Sequence, residues 1–196
     1  MAATQGELRE SGIEALRQVA WGTHVCQFYS SQDDLVEVLV PYFKAGLKAN
    51  ELCLWLTSDP LRPRQAQEAL GKAVIDLGDH LGRGRIKVLE AKDWYLKRGS
   101  FAADDAISRW TREEREAQSR GFAGLRVAGD VNGIPSRQWP ALLDYDRRIA
   151  KCISGRRMLA LCSYPLRRCG TSEMLNLAAC HESALVRKAG RWERIG

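Results

Sequence analysis

Between Trp21 and Asp59 the chain reads as strand, helix, strand, and the turn after the first strand is Ser30-Ser31-Gln32-Asp33-Asp34. His24 to Tyr29 alternates, with His24, Cys26 and Phe28 on one face and Val25, Gln27 and Tyr29 on the other. Leu35, Leu39, Tyr42 and Phe43 then recur at helical spacing, with Gly46 near the helix end. Pro41 inside that pattern is expected to kink or break the helix. Leu52 to Thr57 is a short apolar run suited to a buried parallel strand. This is the opening of a nucleotide-type α/β domain, yet a phosphate-binding turn needs glycines for close backbone approach and a Lys-Ser/Thr pair for phosphates and magnesium. The turn here has no glycine and no lysine. Asp33 is expected to cap the helix, where its charge suits the positive helix end and would repel a phosphate. The pattern predicts the architecture of an NTPase relative without the NTPase chemistry.

The alternation continues to the end of the chain. Arg64 to Ala73 reads as a helix, Ile86 to Leu89 as a strand, and Asp93-Trp94-Tyr95 with Gly99 as a loop. Phe101, Ala106, Ile107, Trp110, Glu114 and Ala117 lie along a long amphipathic helix, followed by a strand from Leu125 to Val131. Leu142, Tyr145, Ile149 and Ile153 form the next helical stripe, which Pro140 can start. Met158 to Tyr164 is a strand, Ser172 to about His181 a helix, and Leu185 to Ile195 a closing β-hairpin turning at Gly190. Such regular alternation predicts a three-layer α/β domain, with a mainly parallel sheet of about five strands and helices on both faces. Residues 1–20 are expected to form an N-terminal helical extension and residues 21–196 a single domain.

The chain has 196 residues and a net charge of +6, unevenly placed. From Arg120 onward there are fourteen Lys/Arg against six Asp/Glu. No zinc-finger, basic-zipper or RNA-binding signature accompanies this excess, so it reads as a solvated face and nucleic acid is not the expected partner. No apolar run is long enough to span a bilayer, and Glu7, Arg9, Glu10 and Glu14 make the N-terminal stretch unlike a signal peptide. The expected location is cytoplasmic, without membrane contact. The cysteines lack CxxC spacing, and Cys26, Cys53 and Cys162 lie in apolar strand patterns, which argues against a disulfide framework.

Four groups of residues carry potential chemistry. His24 and Cys26 share a strand face, and Cys162 joins them if the strand carrying it lies alongside. Histidine and thiolate suit zinc or another soft metal, so His24, Cys26 and Cys162 are candidate metal ligands or redox thiols as well as packing residues. Cys169, Cys180 and His181 form a second group, but neighbouring helical residues diverge by about 100°, so Cys180 and His181 are not expected to serve one small site. Asp130 ends a strand where a P-loop enzyme would hold magnesium. Without the phosphate loop it is expected to cap the following turn. Finally, aromatic residues at strand ends, including Tyr29, Trp94, Tyr95 and Tyr164, suit a small and largely apolar ligand.

The residues also resemble those of the MEDS family (methanogen/methylotroph, DcmR sensory domain). The resemblance rests on Trp21-Gly22-Thr23-His24, Cys26-Gln27-Phe28-Tyr29, Asp34-Leu35, Pro41-Tyr42-Phe43, Gly46-Leu47 and Asn50-Glu51 with Cys53 and Trp55. It continues through Trp94-Tyr95, Gly99, Phe101, Trp110, Gly124-Leu125-Arg126, Trp139, Tyr145, Ala160-Leu161-Cys162, Tyr164, Cys169, His181 and Trp192-Glu193. The chain departs from the pattern at Asp146, where a Glu is usual, and over Asp130 to Arg137. The resemblance implies a RecA/KaiC-like fold lacking the P-loop and a non-catalytic sensory module of prokaryotic signalling or transcription regulation. It implies a small hydrocarbon-derived ligand and a partner such as a histidine kinase or transcription regulator, with a homo-oligomer compatible. Ligand contacts are expected from His24, Cys26, Tyr29, Trp94, Tyr95, Cys162 and Tyr164. No cofactor is predicted beyond the metal alternative, a metal- or thiol-based redox sensor using His24, Cys26 and Cys162.

Overall fold

In the computed structural model, which describes residues 7–196, the chain builds a seven-stranded sheet between two layers. It begins with a small antiparallel hairpin, β1 (Leu8–Glu10) and β2 (Gln18–Ala20), followed by β3 (His24–Tyr29), α1 (Gln32–Lys48) and β4 (Leu52–Thr57). Then come α2 (Pro63–Gly71), α3 (Leu77–Gly82), β5 (Ile86–Glu90), α4 (Ala91–Tyr95) and the two-residue strands β6 (Leu96–Lys97) and β7 (Ser100–Phe101). The second half contains α5 (Ala103–Ser119), β8 (Leu125–Asp130), α6 (Trp139–Ile153), β9 (Met158–Pro165), α7 (Thr171–Ala179), β10 (Ser183–Lys188) and β11 (Arg191–Ile195).

The sheet order is β11-β10-β3-β9-β8-β4-β5, parallel throughout except for β11. The five strands expected from the sequence are all present. The count rises to seven because the closing hairpin does not stand apart: Ser183, Ala184 and Leu185 of β10 pair with Val25, Cys26 and Gln27 of β3. One face of the sheet packs on α4, α5, α6 and α7, and the other on the N-terminal hairpin, α1, α2 and α3. Side-chain alternation along each strand feeds both cores, which is why the central strands read as unbroken apolar runs.

Three local expectations are corrected. The described part of the N-terminal extension, residues 7–20, is a hairpin and not a helix; residues 1–6 lie outside the described residues. Its helix-forming composition is overridden by long-range bonds, since the buried Arg126 donates to the carbonyls of Glu10 and Ser11 at 2.8 and 3.0 Å. Gly12 turns the chain at φ +80°, and a Cβ there would lie 2.1 Å from the Pro41 carbonyl oxygen. Pro41 does not break α1, because the helix is buried on both sides of it through Leu35, Val38, Leu39, Phe43 and Leu47. The stretch Asp93-Trp94-Tyr95 is not a loop but part of α4, with both aromatics in the core.

Candidate functional site

The turn that would hold a phosphate is filled by the chain itself. Ser31, not Asp33, is the N-cap of α1, accepting the Asp34 N–H at 3.1 Å. The Asp34 carboxylate reaches back to the N–H groups of Ser30 and Ser31 at 2.8 and 3.1 Å, completing a capping box. The hydroxyl of Ser31 and the carboxylate at the third helical position together satisfy the helix start, whereas Asp33 only adds charge there. Arg187 of β10 pairs with Asp34 at 2.5 Å. Burial alone would raise the Asp34 carboxyl, but the Ser30 N–H, Arg187 and the Ser31 N–H outweigh it and hold it below its usual value. Across the strand ends, the Tyr29 hydroxyl donates to Asp130 at 3.0 Å. Asp130 also accepts the Asn132 N–H at 2.7 Å, the turn-capping role expected of it.

The opposite face of the sheet gathers a different set. β3 and β9 are neighbours in register, with Cys26 beside Cys162, so His24 and Cys162 project into the same layer. A ring nitrogen of His24, Nε2, lies 3.3 Å from Cys162 Sγ. Asp146 enters from α6 and its Oδ2 accepts the Tyr164 hydroxyl at 2.7 Å. His181, in the turn after α7, packs against His24 with ring centres 4.0 Å apart and the ring planes tilted by 37°, and its Nδ1 faces the Leu177 carbonyl oxygen at 2.7 Å. The turn is fixed by the Glu182 N–H, which donates to the His24 carbonyl at 2.9 Å. Ligand-type atoms of His24, Asp146, Cys162 and His181 all lie within 4.8 Å of one another.

Three atoms of this group lack partners. Among the described residues, His24 Nδ1, Asp146 Oδ1 and His181 Nε2 are buried without a hydrogen bond; the Cys180 main chain lies near the His24 ring without meeting that geometry at Nδ1. Buried polar atoms are normally satisfied, so three in one cluster mark a place built to meet something else. Burial, followed by the neighbouring His181, holds His24 well below the ordinary imidazole value. Burial lowers His181 to about 4, against the Leu177 carbonyl. Both rings are therefore neutral near pH 7 and free to offer a lone pair. Burial pushes Asp146 up to about 7, against the Tyr164 hydroxyl. Burial and then Asp146 raise the Cys26 and Cys162 thiols, so neither has the electropositive setting of a reactive thiolate.

The expected ligand residues divide accordingly. His24, Cys162 and Tyr164 converge on the cluster, and Tyr95 joins His24 and Cys162 in lining a cavity of about 10 Å³, the lower limit for one water. Cys26 shares their core but is not among the four converging residues. Tyr29 lies across the sheet, as its place in the strand alternation requires, and serves Asp130. Trp94 packs against Trp110 with ring centres 4.4 Å apart, under the Arg109 guanidinium, and is not among the four converging residues. Sequence reading did not single out Asp146 as a site residue and grouped His181 with Cys169 and Cys180 and not with His24. Asp146 had a legible signal, because it follows Leu142 by four residues on the apolar stripe of α6, where a carboxylate is out of place. His181 had none, since the fold of the turn after α7 brings it over β3.

Among the described residues, no helix is long and apolar enough to cross a membrane. No curated protein matches the sequence. Among the solved structures that share the fold at low sequence identity are the following two. A KaiC-like protein, PH0186, from the hyperthermophilic archaeon Pyrococcus horikoshii OT3 is similar with a TM-score of 0.61 and 13% identity, over 96% of this chain and 85% of that one. The flagellar accessory protein FlaH from Methanocaldococcus jannaschii is similar with a TM-score of 0.57 and 8% identity, over 89% of this chain and 76% of that one. The architecture is thus RecA/KaiC-like, and with residues 23–182 matching the family described as MEthanogen/methylotroph, DcmR Sensory domain, the chain belongs to the MEDS family.

Proposed function

We propose that this domain is a non-catalytic sensory module of prokaryotic signal transduction or transcription regulation. A small molecule bound at the His24, Asp146, Cys162 and His181 cluster would change the contacts made with a partner protein. The observation that carries the reading is the convergence of three unpartnered buried polar atoms in one cluster, inside a family of sensory domains. The absence of catalysis is supported by the self-capped turn at Ser30 to Asp34 and by the raised Cys26 and Cys162 thiols.

Transmission follows from the connectivity. A cavity of about 10 Å³ does not admit an organic molecule without movement of its walls. The cluster is covered on one side by the turn that follows α7, a lightly held helix in which Leu177 alone is fully buried while Leu175 is 67% exposed. Movement of α7 displaces His181, and the chain runs from there directly into β10 and the β11 sheet edge. Arg187 and Trp192 tie that hairpin to Asp34 and Glu37 of α1. A ligand acts only through its differential affinity for two such arrangements.

The reading is tested by NMR titration with methanol, methylamine and chloromethane as probes of the small alcohol, amine and halocarbon classes. Saturable shifts are expected at His24, Tyr95, Cys162 and Tyr164, with a second set along β10. If all three probes leave these resonances and the melting temperature unchanged at saturating levels, the small-molecule reading fails.

A further inference from the structure

We propose that His24, Asp146, Cys162 and His181 form the complete ligand set of a zinc-type divalent metal site, and that the bound metal links β3, α6 and β9 to the turn after α7. The signalling consequence rests on the sensory reading above; the site itself does not. Two imidazoles, one thiolate and one carboxylate make a donor set suited to zinc or cobalt and unsuited to magnesium or calcium, which take oxygen ligands. The four donor atoms already lie within 4.8 Å of one another, so tetrahedral closure requires only small side-chain adjustments.

The outer contacts of such a site are present. His181 is held through Nδ1 by the Leu177 carbonyl, which leaves Nε2 as its free donor, and that atom is buried without a partner. Asp146 is held through Oδ2 by the Tyr164 hydroxyl, which leaves Oδ1 free and likewise unpartnered. Orientation of a metal ligand through its second polar atom is the usual arrangement around protein-bound metals. The charges also balance. Cys162 and Asp146 release the protons they carry to solvent on binding, and the resulting thiolate and carboxylate together cancel the two positive charges of the ion, as a buried ion requires. Four protein ligands leave no open coordination position, so the centre is one that organises structure and not one that activates water. Cys26, beside Cys162 in register, is not required.

The test is a cobalt(II) titration of the full chain after chelator treatment, followed by visible and near-ultraviolet absorption. A single equivalent is expected to produce tetrahedral cobalt bands with a thiolate-to-cobalt charge-transfer band, displaced by zinc. Cys162→Ser should abolish the charge-transfer band, His181→Ala and Asp146→Asn should each weaken binding by about tenfold or more, and Cys169→Ser should change nothing. Loss of the band only in Cys169→Ser, or its survival in Cys162→Ser, overturns the site, as does the absence of any thiolate band in the parent chain. If Cys162→Ser does not fold, His181→Ala decides, because its side chain lies in a turn at the edge of the core, and unweakened cobalt binding there overturns the assignment. Probe-induced shifts without cobalt binding would remove the metal site and leave the sensory reading; cobalt binding without any change along β10 would leave the metal site and overturn its signalling consequence.

Discussion

Replacing Arg126 by Met should expose how much of this domain depends on one buried cation. Arg126 is fully buried, and Nε donates to Glu51, itself fully buried, at 2.5 Å. Its other nitrogens donate to the carbonyls of Glu10, Ser11 and Tyr42 at 2.8, 3.0 and 2.9 Å, and the guanidinium sits 4.6 Å from the Tyr42 ring centre. Methionine fills much of the volume but supplies none of these donors. Breaking a buried ion pair by removing one partner costs about 3–5 kcal/mol, mostly because a charge is left uncompensated. Arg9 still reaches Glu51 at 3.0 Å, which moves the expectation to the lower end, about 3 kcal/mol. In a chain of this size that is a fall in melting temperature of about 6–12 °C. Adding Glu51→Gln removes the stranded charge but not the three stranded carbonyls, so recovery should be partial, about half. Thermal and urea unfolding followed by far-ultraviolet circular dichroism measures both. A single variant within about 1 kcal/mol of the parent would refute the reasoning, because Arg126 would then not be holding the N-terminal hairpin against α1.

The other expectations concern single contacts. Gly46→Ala, a change that favours a helix interior by about 1 kcal/mol elsewhere, should destabilise this chain, because its Cβ would lie 2.6 Å from Arg126 Cδ; the cost, read from denaturant midpoints, should shrink in an Arg126→Ala background, which removes that carbon, and an equal cost in both backgrounds contradicts it. Gly129→Ala would bring a Cβ to 2.1 Å from the Tyr95 hydroxyl oxygen, so it should cost stability that Tyr95→Phe partly restores in the double variant. Burial pushes Asp130 up from 3.8 to about 6, against the Asn132 N–H and the Tyr29 hydroxyl. The folded chain therefore holds that proton more tightly than the unfolded one. Its contribution is fully present below about pH 4 and is lost as pH rises through about 6. The shift corresponds to about 3 kcal/mol, so the stability difference between parent and Asp130→Asn should fall by that order from pH 4 to 7; a difference flat in pH contradicts it.

The sequence made the central architecture legible because its signals there are local. The alternation of His24 to Tyr29, the helical stripe after it and the apolar run at Leu52 to Thr57 each report their own element. Arg126 shows where local signals end: inside an apolar strand it looks like an interruption, yet it bonds to residues on the hairpin, α1 and the start of β4. The N-terminal hairpin was read as helix for the same reason, since its fold depends on that distant cation. The candidate site was half visible. Strand adjacency joined His24 to Cys162, a pairing the alternation anticipated on condition that the strands met. Asp146 was overlooked although a carboxylate on an apolar stripe is itself a signal, and His181 became relevant only through a turn whose geometry no spacing rule encodes.

The central claim is that this RecA/KaiC-like domain has exchanged a nucleotide turn for a buried sensing cluster read out along β10. Amide hydrogen exchange of the full chain tests it directly, comparing the chain alone, with saturating zinc, with each of the three organic probes, and with Mg-ATP. The account predicts slowed exchange across α7 and residues 180–188 with zinc or an organic probe, and no change at Ser30 to Asp34 with Mg-ATP. Protection of Ser30 to Asp34 by Mg-ATP, with exchange at residues 180–188 unmoved by any of the others, would contradict it.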